Sequence, residues 1–123
     1  MSQRPVADYL SDPRHAAPLD GATLLGEASG DDRLLVRVGL WLDGRGHVRR
    51  ARYRASCCAA LIAYAEAACE LAEAGAATGP PVAGPLLAAV TGVHPRHRDR
   101  AELVAQALAR AFARAHPTTG ATP

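Results

Sequence analysis

Three thiols, two adjacent carboxylates and a pair of histidines are the side chains of this 123-residue chain best suited to chemistry. The thiols are Cys57, Cys58 and Cys69, the carboxylates Asp31 and Asp32, and the histidines His94 and His97. Thiolate is a soft ligand, imidazole an intermediate one and carboxylate a hard one. One of each is a workable donor set for zinc or iron. Each also has a plainer reading. A cysteine at a helix start packs as a small core residue, an Asp pair ends a solvated turn, and histidines flanking Pro95 in a basic loop are ordinary surface groups. A Cys–His pair can also make a thiol nucleophile. However, the chain has no Gly-rich phosphate loop and no serine nucleophile motif. All 14 of its basic residues are arginine, which excludes Schiff-base lysine chemistry. Sulfur transfer through a persulfide on Cys58 is the only reaction left to consider. We therefore expect a binding protein rather than an enzyme.

Composition narrows the scaffold that must hold these groups. The length suits one domain. Hydrophobic residues make up 49% and aromatic residues 4%, so the core is built from Ala, Leu and Val. That favours helices packed on a sheet over an aromatic-rich sandwich. The formal net charge of +2 gives no ground for nucleic-acid binding. The triplet Arg50, Arg52 and Arg54 lacks the interleaved aromatics that stack bases, and is expected to be a solvated sheet face. No segment has the plan of a signal peptide, and no apolar run is long enough to cross a bilayer. An odd cysteine count with two adjacent residues is a poor disulfide framework. The expected compartment is the reducing cytoplasm.

The elements follow from periodicity. Residues 5–11 suit a short helix with Pro5 in its first turn, stopped by Asp12-Pro13. The stretch 19–30 holds one short strand. Val36, Val38, Leu40 and Leu42 alternate with Arg37, Gly39 and Trp41, the pattern of a half-buried strand. Asp43-Gly44-Arg45-Gly46 turns the chain back into a strand over 47–55, with Ala51, Tyr53 and Ala55 on its apolar face. A helix follows from Cys58 to Ala74. Cys58, Ile62, Ala65 and Cys69 form its inner stripe, Glu66, Glu70 and Glu73 its polar side, and Gly75 its stop. Cys69 is expected in the core. Gly79-Pro80-Pro81 is a loop, and 85–90 is a short apolar helix ending near Gly92. The segment 93–98 has no regular pattern. Asp99 caps a last helix reaching Ala115, with Leu103, Val104, Leu108 and Phe112 inward. The expected class is α+β: an N-terminal helix, a three-stranded antiparallel sheet, then about three helices on one sheet face.

Three segments resemble the U-type iron–sulfur cluster assembly scaffold family (IscU, SufU and the N-terminal domain of NifU). Tyr9-Leu10-Ser11-Asp12-Pro13-Arg14-His15 is similar to that family's Tyr-x-x-Asn/Asp-Pro-Arg-Asn. Ala51 to Cys58 is similar to its Ala-Arg/Lys-Phe-x-x-x-Gly-Cys. Pro95 to Leu103 resembles its Pro-x-Arg-x-x-Cys-Ala/Ser-x-Leu. Order and spacing agree over residues 8–115, which implies a scaffold-like domain over 1–116 and a disordered tail over 117–123. The family holds an assembling cluster with three cysteines and an aspartate. Carried over, the second cysteine is Cys58, at a helix start where the helix dipole favours a thiolate. The aspartate is Asp31 or Asp32. The first cysteine falls on Ser29 or Gly30, the third on Arg100, and the family's nearby histidine on Asp99. Cys57 takes a glycine position and would be an extra thiol. His94 and His97 lie close by in sequence. The resemblance thus implies a transient iron–sulfur cluster, iron or zinc held by Cys58 with Asp31 or Asp32. It implies a cysteine desulfurase and client apoproteins as partners, with no nucleic acid and no membrane. A homo-oligomer would let two chains share one site. With two cysteines missing, the competing expectation is a metal-free homologue used as an interaction or regulatory module. In that case Arg100 would pair with Asp31 or Asp32 where the family holds metal.

Overall fold

A computed structural model describes residues 3–30, 33–75 and 83–115. The chain runs α1 (Val6–Ser11), β1 (Leu24–Ser29), β2 (Leu35–Leu42), β3 (Val48–Ala55), α2 (Ala59–Glu73), α3 (Ala83–Ala89) and α4 (Arg100–Ala115). The three strands form one antiparallel sheet in the order β1-β2-β3. The α+β expectation holds. Helices α2 and α4 lie directly on one sheet face, while α1 and α3 pack against those two helices. Arg4–Pro5 and Val90–Thr91 form a short parallel pair that ties the start of the chain to the end of α3. No helix among the described residues is long and apolar enough to cross a membrane. The Gly79-Pro80-Pro81 loop and the 117–123 tail lie outside the described residues.

The inner sheet face alternates as the period-2 pattern predicts. Val36, Val38 and Leu40 of β2 are fully buried, with Leu24 and Ala28 of β1 beside them and Ala51 and Tyr53 of β3 on the other flank. The β2–β3 turn is set by Asp43. Its side chain accepts the N–H groups of Arg45 at 2.8 Å and His47 at 3.0 Å. Those two bonds hold its carboxyl below the ordinary carboxylate range.

Close backbone approach explains one glycine. An added Cβ at Gly26 would stand 2.0 Å from the Ala107 carbonyl oxygen and 2.4 Å from the Ala111 nitrogen. β1 therefore touches the α4 backbone directly, and Gly26 is the residue that lets it do so. The same contact shifts the inner stripe of α4. Ala101, Val104, Ala107, Leu108 and Ala111 are buried, whereas Leu103 and Phe112, expected inward, are only half-buried.

The outer sheet face corrects the simple picture of a bare Arg-rich surface. The loop after α1 folds across it, placing Leu19 and Ala22 over Gly39. Trp41 is 7% exposed, with the Arg50 guanidinium 4.5 Å from its ring centroid. Stacking of this kind satisfies a cation and shields the ring together. The 93–98 segment is also more regular than its sequence suggests. Pro95–His97 makes one 3-10 turn, because the His94 Nδ1 accepts the Arg96 N–H at 3.1 Å and substitutes for a backbone cap.

Candidate functional site

Ser56 organises the junction from which the candidate site is built. Its Oγ accepts the Leu35 N–H at 2.7 Å and reaches the Arg33 carbonyl at 3.0 Å. Its own N–H donates to the Leu35 carbonyl at 2.9 Å. These bonds fasten the end of β3 to the loop that enters β2. That loop is closed at its base by the Gly30 N–H, which donates to the Leu34 carbonyl at 2.9 Å. Arg33 within it takes the left-handed conformation, at φ 63°. Asp31 and Asp32 belong to this loop in sequence but lie outside the described residues.

Two residues beyond Ser56, Cys58 is the N-cap of α2, in extended backbone with its carbonyl accepting the Ile62 N–H at 2.9 Å. Its side chain makes no capping hydrogen bond, so the sulfur is not committed to the helix. Cys58 is half-buried, Cys57 exposed and Cys69 fully buried. Cys69 belongs to the core as expected, and burial pushes its thiol up well above the ordinary value, with Glu66 and Glu73 adding to the effect.

The third family position comes to the same place. Arg100, first residue of α4, donates from Nη1 to the Asp99 Oδ1 at 2.7 Å. That bond does most to hold the guanidinium protonated. The Cys58 sulfur lies within electrostatic reach and contributes in the same direction. The Arg100 Nε is buried and finds no hydrogen-bond partner among the described residues. Arg100, Asp99, Leu103 and Gln106 of the α4 end line an open hollow of about 330 Å³, with Gly30 and Leu34 on its other wall. The fold therefore gathers the bases of the three carried-over positions, at Gly30, Cys58 and Arg100, at one end of the sheet. What it gathers chemically is one thiol beside a fixed cation. Among the described residues, no three His, Cys, Asp or Glu side chains form a group able to hold a metal ion.

The histidines sit apart in role. His94 is exposed and spends Nδ1 on the turn, and the His97 ring lies 6.0 Å from it, centroid to centroid. Neither joins Cys58 in a described ligand group. Cys57 points to solvent at the junction and is available to reagents.

No family model matches the chain. Over 114 residues, 87% of its length, it is 37% identical to the bifunctional protein NifU/MnmA of Rubrobacter xylanophilus. The chain spans 23% of that relative, so the likeness is to one part of a much longer protein.

A second polar centre went unread in the sequence. Glu66, expected on the polar side of α2, is 1% exposed, and His15 is 6% exposed. The Glu66 carboxylate takes the His15 Nδ1 at 2.8 Å and the His15 backbone N–H at 2.9 Å. The His15 Nε2 meets Glu73 Oε1 at 3.1 Å. The other Glu73 oxygen accepts from Arg52 Nη1 at 2.7 Å and from the Ala51 N–H at 2.9 Å. Hydrogen bonds from Glu66, then Glu73, outweigh burial and raise His15 above its ordinary value of 6.5. Burial alone would raise Glu66, but the His15 ring and N–H bring it below 4.5. The cue was in the sequence. Glu66 stands between alanines in the middle of α2, and His15 ends the Asp-Pro-Arg segment.

The cluster also fixes the chain after α1. The Tyr53 N–H donates to the His15 carbonyl at 3.0 Å, and Ala17 donates back to Tyr53 at 3.3 Å, so this segment covers the free edge of β3. Glu70 completes the pattern by pairing with Arg4, whose guanidinium lies 4.2 Å from the Tyr9 ring centroid. The three α2 glutamates thus clasp the N-terminal segment, Glu66 buried and Glu70 and Glu73 half-buried.

Proposed function

We propose that this chain is a scaffold-like protein of iron–sulfur cluster assembly. It takes iron, zinc or a transient cluster as cargo at Cys58 and Asp31 or Asp32, with a reduced ligand set. The observation that carries the reading is the meeting of Gly30, Cys58 and Arg100 at one sheet end. The sequence likeness to NifU/MnmA over most of the chain supports it. A half-buried thiol at an uncapped helix start is a soft ligand held on a rigid element. A carboxylate beside it would be an exchangeable hard donor, suited to cargo that must leave. The chain acts as a carrier rather than an enzyme, working in the cytoplasm with a sulfur-donating desulfurase and client apoproteins.

A second reading is a metal-free homologue retained as an interaction module. Arg100 favours it, because a guanidinium cannot ligate a metal and repels a cation placed beside Cys58. Anaerobic reconstitution with ferrous iron and sulfide separates the two. Under the first reading the wild-type protein gains a visible chromophore and protein-bound iron, and Cys58→Ala loses both. Wild-type protein that emerges colourless and iron-free, and that retains no zinc when offered it, supports the second.

A further inference from the structure

The outer sheet face carries a groove that the proposed cargo site does not use. Two hollows of about 640 and 520 Å³ adjoin along the loop after α1, sharing Leu19, Asp20 and Arg37. One runs past Leu35, Arg54 and Ser56 to the strand end that precedes Cys57, and the other passes Leu25 and Glu27 to Arg114. Leu25 is 43% exposed and Leu35 36%, two of the most exposed large apolar side chains among the described residues. Single exposed leucines need no explanation, but two in one groove on a sheet face do.

Charge selects the occupant. Arg37, Arg54 and Arg114 line the groove against Asp20 and Glu27. Arg37 already neutralises Glu27 at 2.7 Å. Arg54 and Arg114 have no ion-pair partner among the described residues. The glutamates of α2 are spent on His15, Arg4 and Arg52 and pair with neither Arg54 nor Arg114. Among the described residues, the groove therefore presents two free guanidiniums against the one unpaired carboxylate of Asp20, flanked by leucines. A single-stranded nucleic acid would need ring faces for stacking. Trp41, the aromatic residue of this sheet face, is buried under Arg50.

We propose that this groove docks an extended segment of a partner protein in which acidic residues alternate with aliphatic ones, setting the partner beside Cys57 and Cys58. Carboxylates would pair with Arg54 and Arg114 while aliphatic side chains cover Leu25 and Leu35. The partner's work at Cys58 rests on the scaffold reading; the docking itself does not.

The test uses the whole chain without metal and a fluorescent peptide of alternating Glu and Leu, followed by anisotropy. A Lys/Leu peptide, a Glu/Ser peptide and an oligo-dT strand serve as comparison probes. The Glu/Leu peptide binds best, and Arg54→Glu with Arg114→Glu weakens it by roughly tenfold or more, the loss of two exposed ion pairs and their reversal. Leu25→Ser with Leu35→Ser weakens it as well, and both pairs leave the thermal melt in place because all four side chains are exposed. Arg45→Glu, in the β2–β3 turn, changes the net charge without touching the groove and leaves binding intact. Three results overturn the proposal: equal loss with Arg45→Glu, tighter binding of oligo-dT, or self-association abolished by the leucine variants. Failure of iron loading with peptide binding retained counts against the scaffold reading alone.

Discussion

The two ends of α2 handle charge in opposite ways. At its N-terminus a thiol stands half-buried beside an arginine whose Nε has no partner among the described residues. Over its last two turns, Glu66 and the terminal Glu73 close around His15 and Arg52 with distances of 2.7 to 3.1 Å. The second centre satisfies itself, with His15 and Glu66 buried and Glu73 and Arg52 half-buried around them. It does the work of folding, holding the N-terminal segment to the edge of β3. The first leaves a buried donor without a partner at the wall of a hollow. Groups that are completed by their neighbours report on stability, and groups left incomplete are where a ligand can act.

Breaking the closed centre should cost most. Glu66→Leu leaves the His15 cation buried with only Glu73, and is expected to destabilise the fold by about 3 kcal/mol. A urea unfolding curve would show this as a lower midpoint at unchanged slope. Replacing His15 and Glu66 together with leucine should recover much of the loss, since no charge is then stranded. Neither change should alter alkylation of Cys57 by iodoacetamide in the native state. If the double variant is as unstable as Glu66→Leu, the ion pair is not what the cluster contributes.

The pH dependence should carry the same signature at smaller amplitude. The His15 contribution is whole below its ordinary value of 6.5 and is lost as pH rises through the higher value it has in the fold. Glu66 and Glu73, both held below 4.5, contribute above that value and lose their contribution as pH falls through their folded values. Stability should therefore form a plateau that declines on both sides. Denaturation midpoints measured across pH in His15→Gln should lose the alkaline decline while keeping a stability loss in acid. An unchanged alkaline limb would place the titrating group elsewhere.

Much of this architecture was legible without coordinates. The alternation of Val36, Val38 and Leu40, the Asp43 turn and the Gly75 helix stop each follow from local rules, and the structure has them where those rules put them. What escaped was every feature created by distant contact. Glu66 looks like a solvent-facing helix residue until His15, 51 positions away in sequence, is folded against it. Trp41 falls on the outer face by periodicity and is buried where Arg50 and the loop after α1 at Gly21 cover it. The α4 stripe turned toward its alanines because Gly26 admits the helix backbone. At the candidate site the sequence named Cys58 and Arg100 by their positions and anticipated Arg100 pairing with Asp31 or Asp32, which lie outside the described residues. The Arg100–Asp99 pair was not anticipated, because a neighbour in sequence was not weighed as a partner.

Substitution at Arg100 should move the fold least and the chemistry most clearly. Its ion pair with Asp99 is short, but Asp99 is 72% exposed, so water competes for the carboxylate and Arg100→Ala should cost no more than about 1 kcal/mol. That small loss, beside the larger one for Glu66→Leu, is the sharpest statement of the difference between the open and closed ends of α2. The informative change is Arg100→Cys. It removes the cation beside Cys58 and supplies a second thiol from the adjacent helix start, at the position where the resembling family carries its third cysteine. Iron-and-sulfide loading, read as chromophore per chain, should exceed that of wild type and Arg100→Ala alike. If Arg100→Ala rises as far as Arg100→Cys, the guanidinium was acting as a repelling charge and no new ligand was made. If neither rises, the meeting of Cys58 and Arg100 is a packing contact, and the metal chemistry of this fold has been lost at more than one position.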